Sequence, residues 1–118
     1  MAEPPIDSTT FKELQDAAGA DFVVELVDTF LADAPTMLDE LRSSLVTGDA
    51  GKFRRAAHSL KSNSLTFGAM ALGALARELE HAGLTHAQSA DAQGVTPLDV
   101  LAQEYARVAA DLTELRNG

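Results

Sequence analysis

Residues 49–68, DAGKFRRAAHSLKSNSLTFG, decide the fold. Phe53, Ala57, Leu60, Ser64 and Phe67 recur there at spacings of four, three, four and three. That is the a/d seam of a helix packing one narrow face inward. Ser64 is its one polar member, and a small hydroxyl can bond the carbonyl of the preceding turn. Asp49 is the N-cap candidate, and Gly68 ends or sharply turns the helix.

The same period continues in both directions. Towards the N-terminus, Asp21 can cap a helix whose apolar positions are Phe22, Leu26, Phe30, Leu38, Leu41 and Leu45, widened by Val23, Val27 and Leu31. Pro35 lies inside that run; it removes a backbone donor and clashes with the preceding turn, so a kink or short break is expected near Leu31–Pro35. Gly48 supplies the C-terminal stop. A shorter helix precedes it, about Thr10 to Ala18, with Thr10 and Glu13 as a capping box and Gly19 as its stop. Residues 1–9 read as a flexible N-terminus, and residues 10–118 as one helical domain.

Towards the C-terminus, Leu72, Leu75, Ala76 and Leu79 face inward from a helix running from Ala69 to about Ala82, with Gly83 after it. Residues 84–96 read as a loop. Thr96-Pro97-Leu98-Asp99 then opens the last helix, with a hydroxyl cap, proline at N1 and a carboxylate at N3. Leu98, Leu101, Tyr105, Val108, Leu112 and Leu115 carry its stripe. No segment alternates with period two. The expected fold is all-α: an up-down-up-down antiparallel four-helix bundle with a short extra N-terminal helix.

Composition agrees. The 118 residues suit one domain, and aromatics are only 5%. There is no Cys, which excludes disulfides and thiol chemistry. No apolar run reaches the roughly 18 residues of a membrane span. The start, MAEPPIDSTT, lacks the basic and apolar regions of a signal peptide, so a cytoplasmic location is expected.

The net charge of −9 argues against nucleic acid or anionic lipid as a partner of the whole surface. Charge is nonetheless uneven. From Ala50 to Ala76 there is no acid and there are four bases, Lys52, Arg54, Arg55 and Lys61; the rest holds 18 acids and 5 bases. His58 lies in this basic island. It sits about 100° around the helix from Ala57 and so points away from the seam. Arg54, Arg55, Lys61 and Ser62 share its side at i−4, i−3, i+3 and i+4. A lone surface histidine is ordinarily inert, and the cations argue against a metal ligand. They suit a histidine that carries or contacts an anion, since charge-assisted bonds to phosphoryl oxygens are strong. His81 and His86 have neither Cys nor a helical His partner, so no metal site is expected.

The run AHSLKSNSLTFGA, Ala57 to Ala69, resembles the signature of histidine-containing phosphotransfer domains: a His, Leu two later, Lys three later, a small residue four later and Gly ten later. His58, Leu60, Lys61 and Gly68 fall on it. The family usually has Gly directly after the Lys; here Ser62 stands there, nearly as small, keeping the ring accessible. The resemblance covers nearly the whole chain and implies a phosphorelay carrier that takes a phosphoryl group on His58 from one receiver-domain aspartate and gives it to another.

By the same resemblance Lys61, and Arg54 behind it, would contact the phosphoryl group, and Glu80 on the next helix would orient the imidazole. Arg55 and Leu65 would meet the partner, Leu65 because it lies seven residues after His58 on the exposed side. The implied partners are response-regulator receiver domains, which supply Mg²⁺ and Asp, and a hybrid sensor kinase upstream. No P-loop or kinase signature is present, so no autokinase activity and no cofactor are expected, and the chain reads as a monomer. The alternative is a helical adaptor that binds a receiver through the same basic face without phosphate chemistry.

Overall fold

The structure, a computed structural model, describes residues 4–117. It is all-helical, with α1 (Ser8–Ala18), α2 (Ala20–Thr47), α3 (Ala50–Thr66), α4 (Met70–Ala87) and α5 (Pro97–Asn117). α2 to α5 close a ring: α2 packs on α3, α3 on α4, α4 on α5 and α5 back on α2, with α3–α4 the most extensive interface. This is the four-helix bundle with a short extra N-terminal helix.

The α3 seam is as its spacing predicts. Phe53, Ala57, Leu60, Ser64 and Phe67 are all buried. The Asp49 carboxylate accepts from the backbone N–H of Lys52 at 3.0 Å and caps the helix. The Ser64 hydroxyl donates to the Leu60 carbonyl at 2.6 Å, so this buried polar group is satisfied within its own helix. At the end of the seam Phe67 meets Phe30 of α2 (5.4 Å between ring centroids), and Phe30 meets Tyr105 of α5 (6.0 Å). The last helix has its full capping box: Thr96 Oγ1 accepts from Asp99 N–H at 3.1 Å, and the Asp99 carboxylate accepts from Thr96 N–H at 3.0 Å.

Four local expectations are corrected. First, α1 starts two residues early. Asp7, rather than Thr10, is its N-cap, accepting from the Thr10 N–H at 3.1 Å and the Thr10 hydroxyl at 2.6 Å. Residues 1–3 lie outside the described residues, but Ile6 is buried, its N–H donates to Asp111 at 3.2 Å, and Asp7 N–H donates to the Gly68 carbonyl at 2.9 Å.

Second, α2 begins at Ala20 and buries Val23, Val27 and Phe30, leaving Phe22 half exposed at 50%. Gly19, at φ 95°, turns the chain into α2 and sets that phase. Third, of the kink or short break expected near Leu31–Pro35, the break is absent: α2 runs on through Pro35. The proline leaves the Leu31 carbonyl without its usual donor, and packing of Ala34, Leu38 and Leu41 on both sides holds the helix together. Fourth, Gly83, at φ 84° and ψ −168°, does break α4, but a helical turn resumes to Ala87, which is buried, so the loop starts later than Leu84.

Candidate functional site

α3 and α4 run antiparallel in a register that two contacts define. Leu65 lies against Gly73, and His58 against Glu80. Seven residues separate the members on each helix, in opposite directions along the chain. Seven residues are close to two turns, so both pairs fall on one line along the interface.

At the His58 end a single carboxylate meets two nitrogens, one from His58 and one from Lys61. Glu80 Oε2 is 2.7 Å from His58 Nδ1, and Glu80 Oε1 is 2.7 Å from Lys61 Nζ. The Glu80 side chain is only 13% exposed and that of Lys61 20%, whereas the His58 ring is 57% exposed. The Lys61 ammonium holds the Glu80 carboxyl below the usual carboxylate range, the His58 contact adds to this, and partial burial opposes it. Glu80 is therefore ionised at neutral pH and can only accept. A neutral His58 must place its proton on Nδ1 to make this bond, leaving the lone pair of the exposed Nε2 free. Such a nitrogen is a nucleophile with its tautomer set by a carboxylate.

The other predicted residues divide between two sides of α3. Arg54 and Ser62 are exposed on the His58 side, and Leu65 (43% exposed) leans towards α4. Arg55 turns the other way, into the cleft between α2 and α3 beside Asp33, Met37 and Glu40. The structure thus gathers His58, Lys61 and Glu80 at bonding distance and leaves Arg55 apart from them. Two features were missed in the sequence. Lys61 is engaged by Glu80, a pairing that needs the α3–α4 register to be known. Gly73, Met70 and Arg77 of α4 form a groove with Leu65 and Lys61; a glycine inside the helical run of α4 was the available signal.

The fold is a four-helix bundle that shows this histidine to solvent, and comparison with known proteins gives its class. The profile of the Hpt domain matches residues 25–118. The chain belongs to this family and is a histidine phosphotransfer protein of a phosphorelay. It is similar to the crystal structure of histidine-containing phosphotransfer protein B (HptB) from Pseudomonas aeruginosa PAO1, at 28% identity and a TM-score of 0.83, over 98% of this chain and 97% of that one. A comparison with curated proteins gives no match. Among the described residues no helix is long and apolar enough to cross a membrane.

Proposed function

We propose that His58 Nε2 is the atom that carries the phosphoryl group, accepting it from the aspartyl phosphate of one receiver domain and giving it to the aspartate of a second. The observation that carries this reading is the Glu80 carboxylate bridging His58 Nδ1 and Lys61 Nζ at 2.7 Å each. In the forward step the Nε2 lone pair attacks phosphorus. The N–P bond forms as the P–O bond of the aspartyl phosphate breaks, and the carboxylate leaves with the electron pair. Nδ1 keeps its proton, so the ring gains positive charge, and that charge develops against the Glu80 carboxylate. Little else is needed from the protein, because phosphoryl transfer depends mainly on positioning and charge neutralisation.

The Lys61 ammonium, 2.7 Å from Glu80 Oε1, has three donors and can contact phosphoryl oxygens as well. Arg54, one turn from His58, is an outer contact for the same charge. Ser62 keeps the approach to the ring open. Leu65 and Arg55 flank the site on its two sides and are proposed as partner contacts. The partner supplies Mg²⁺ and the reacting Asp. The chain is read as a monomeric cytoplasmic carrier that does not phosphorylate itself from ATP, and its phosphotransfer domain as residues 10–118 with the Ile6–Thr9 segment docked on it. The adaptor alternative gives the Glu80–His58 bond no task and is not favoured.

The test is incubation with a receiver domain charged by acetyl phosphate, followed by assay for an acid-labile, base-stable phosphate on this chain. The expected result is labelling of the wild type and none of His58→Gln. Labelling of that variant at the wild-type rate would overturn the assignment.

A further inference from the structure

Gly73 sits inside α4, where glycine is among the poorest helix formers. Its φ is not positive, so its backbone does not require glycine. What does require it is the neighbouring helix. A Cβ built at Gly73 would lie 2.6 Å from Leu65 Cδ2 and 2.9 Å from Leu65 Cγ. The Leu65 side chain therefore occupies the volume that any other residue at 73 would fill. It lies down across α4 and is still 43% exposed along its outer edge. With Met70, Gly73 and Ala74 it floors an apolar groove that Lys61 and Arg77 border. Glu78, the acid on its wall, has Oε1 3.1 Å from His86 Nε2.

We propose that Gly73 is a positioning residue for partner docking: by omitting a Cβ it keeps Leu65 flat and the groove open for an apolar side chain of a receiver domain, next to its acidic phosphorylation pocket. This rests on the proposed function and deepens it. The occupant follows from charge and continuity. Lys61 belongs both to the groove and to the His58 cluster, so whatever seats in the groove stands beside the phosphoryl-carrying atom. The groove's apolar floor comes from the acid-free stretch, Lys61 and Arg77 border it, and the one acid on its wall, Glu78, faces His86, so it favours a partner that is apolar at its centre and acidic at its rim. In Gly73→Ala the new methyl lifts Leu65 off α4 and into the groove. Leu65 can make that move because its outer edge faces water, so the variant folds.

The experiment separates docking from chemistry. The wild type, Gly73→Ala, Leu65→Ala and the double variant are phosphorylated in two ways. One donor is a receiver domain of the same organism, itself charged by acetyl phosphate. The other is phosphoramidate, which is too small to use the groove; its P–N bond breaks, ammonia leaves, and the same N–P bond to Nε2 forms. Gly73→Ala is expected to raise KM for the receiver about tenfold with kcat within twofold, and to leave the phosphoramidate rate unchanged. In the Leu65→Ala background, where the methyl has room, Gly73→Ala is expected to change KM less than twofold. An equal KM penalty in both backgrounds overturns the proposal, as does a fall in the phosphoramidate rate matching that with the receiver. A wild type charged by neither donor overturns the His58 reading itself, and the proposal falls with it.

Discussion

On one side of α3, Phe53, Ala57, Leu60, Ser64 and Phe67 are shut away from water; on the other, Arg54, His58, Ser62 and Leu65 stand in it. The two faces share a backbone and little else. The buried face works by area removed from water and close packing, terms that are large and indifferent to pH. The wet face works by a few polar contacts, each small in stability and decisive for which nitrogen is free to react. Stability and transfer should therefore separate cleanly between substitutions one or two residues apart. Glu80 couples them: it is mostly buried, yet its carboxylate holds both His58 and Lys61.

The largest contrast is between His58→Gln and Leu60→Ala. His58→Gln is expected to abolish phosphate acceptance while urea denaturation moves by no more than about 0.5 kcal/mol. Leu60→Ala is expected to cost about 2–5 kcal/mol in the same denaturation series, since Leu60 is fully buried, while the fraction that remains folded still accepts phosphate. A large stability loss in His58→Gln would break the contrast.

Lys61→Ala comes next. Losing a charged contact of roughly 1–3 kcal/mol should slow transfer by about one to two decades without unfolding the bundle. Rapid-quench kinetics at low and high salt measure it, and an unchanged rate in both would make Lys61 a spectator. Leu65→Asp should weaken receiver binding, by lost apolar contact and by an acid set in the acid-free stretch, with the isolated domain still folded. Calorimetric titration with a receiver is the check, and wild-type affinity would move the docking face elsewhere.

The smallest effect is on the acid side. The carboxyls of Glu80, Asp7 and Asp99 all lie below their ordinary values, Glu80 chiefly through Lys61, Asp7 through the Thr10 hydroxyl and Asp99 through the Thr96 N–H. A carboxyl lowered in the folded state contributes stability that is fully present above its unfolded pKa and is lost as pH falls through the folded one. Thermal melts should therefore be insensitive to these groups at neutral pH and decline only below about pH 4. Glu80→Gln should flatten part of that decline; an unaltered acid limb would remove Glu80 from the wet face's contribution.

What could be read in the sequence follows the same division. The α3 seam was legible because each of its members is apolar or small at helical spacing, and Asp49 and the Thr96–Asp99 box were legible because capping is local chemistry. His58 was legible as the exposed member of a basic, acid-free stretch. The choice between Phe22 and Val23 was not, since both are apolar and the phase is set by Gly19. Ile6 was not, because a single apolar residue in a Pro-rich stretch shows no period and its backbone partner is on α5. The Lys61–Glu80 pair was not, because it depends on how α3 and α4 slide past one another, and of the Leu65–Gly73 contact that marks that register the sequence shows only an unexplained glycine in mid-helix, with nothing to say that Leu65 lies on it.

The docked N-terminal segment has a kinetic consequence. Most interfaces of the bundle join helices adjacent in sequence, which gives a low contact order and fast folding. The Ile6–Asp111 bond spans 105 positions and closes nearly the whole chain into a loop. Its closure entropy is repaid only once α5 is in place, so this bond is expected to form after the bundle has. Contacts made that late act on the exit rate rather than the entry rate: loosening Ile6 hastens unfolding and leaves refolding almost as fast as before.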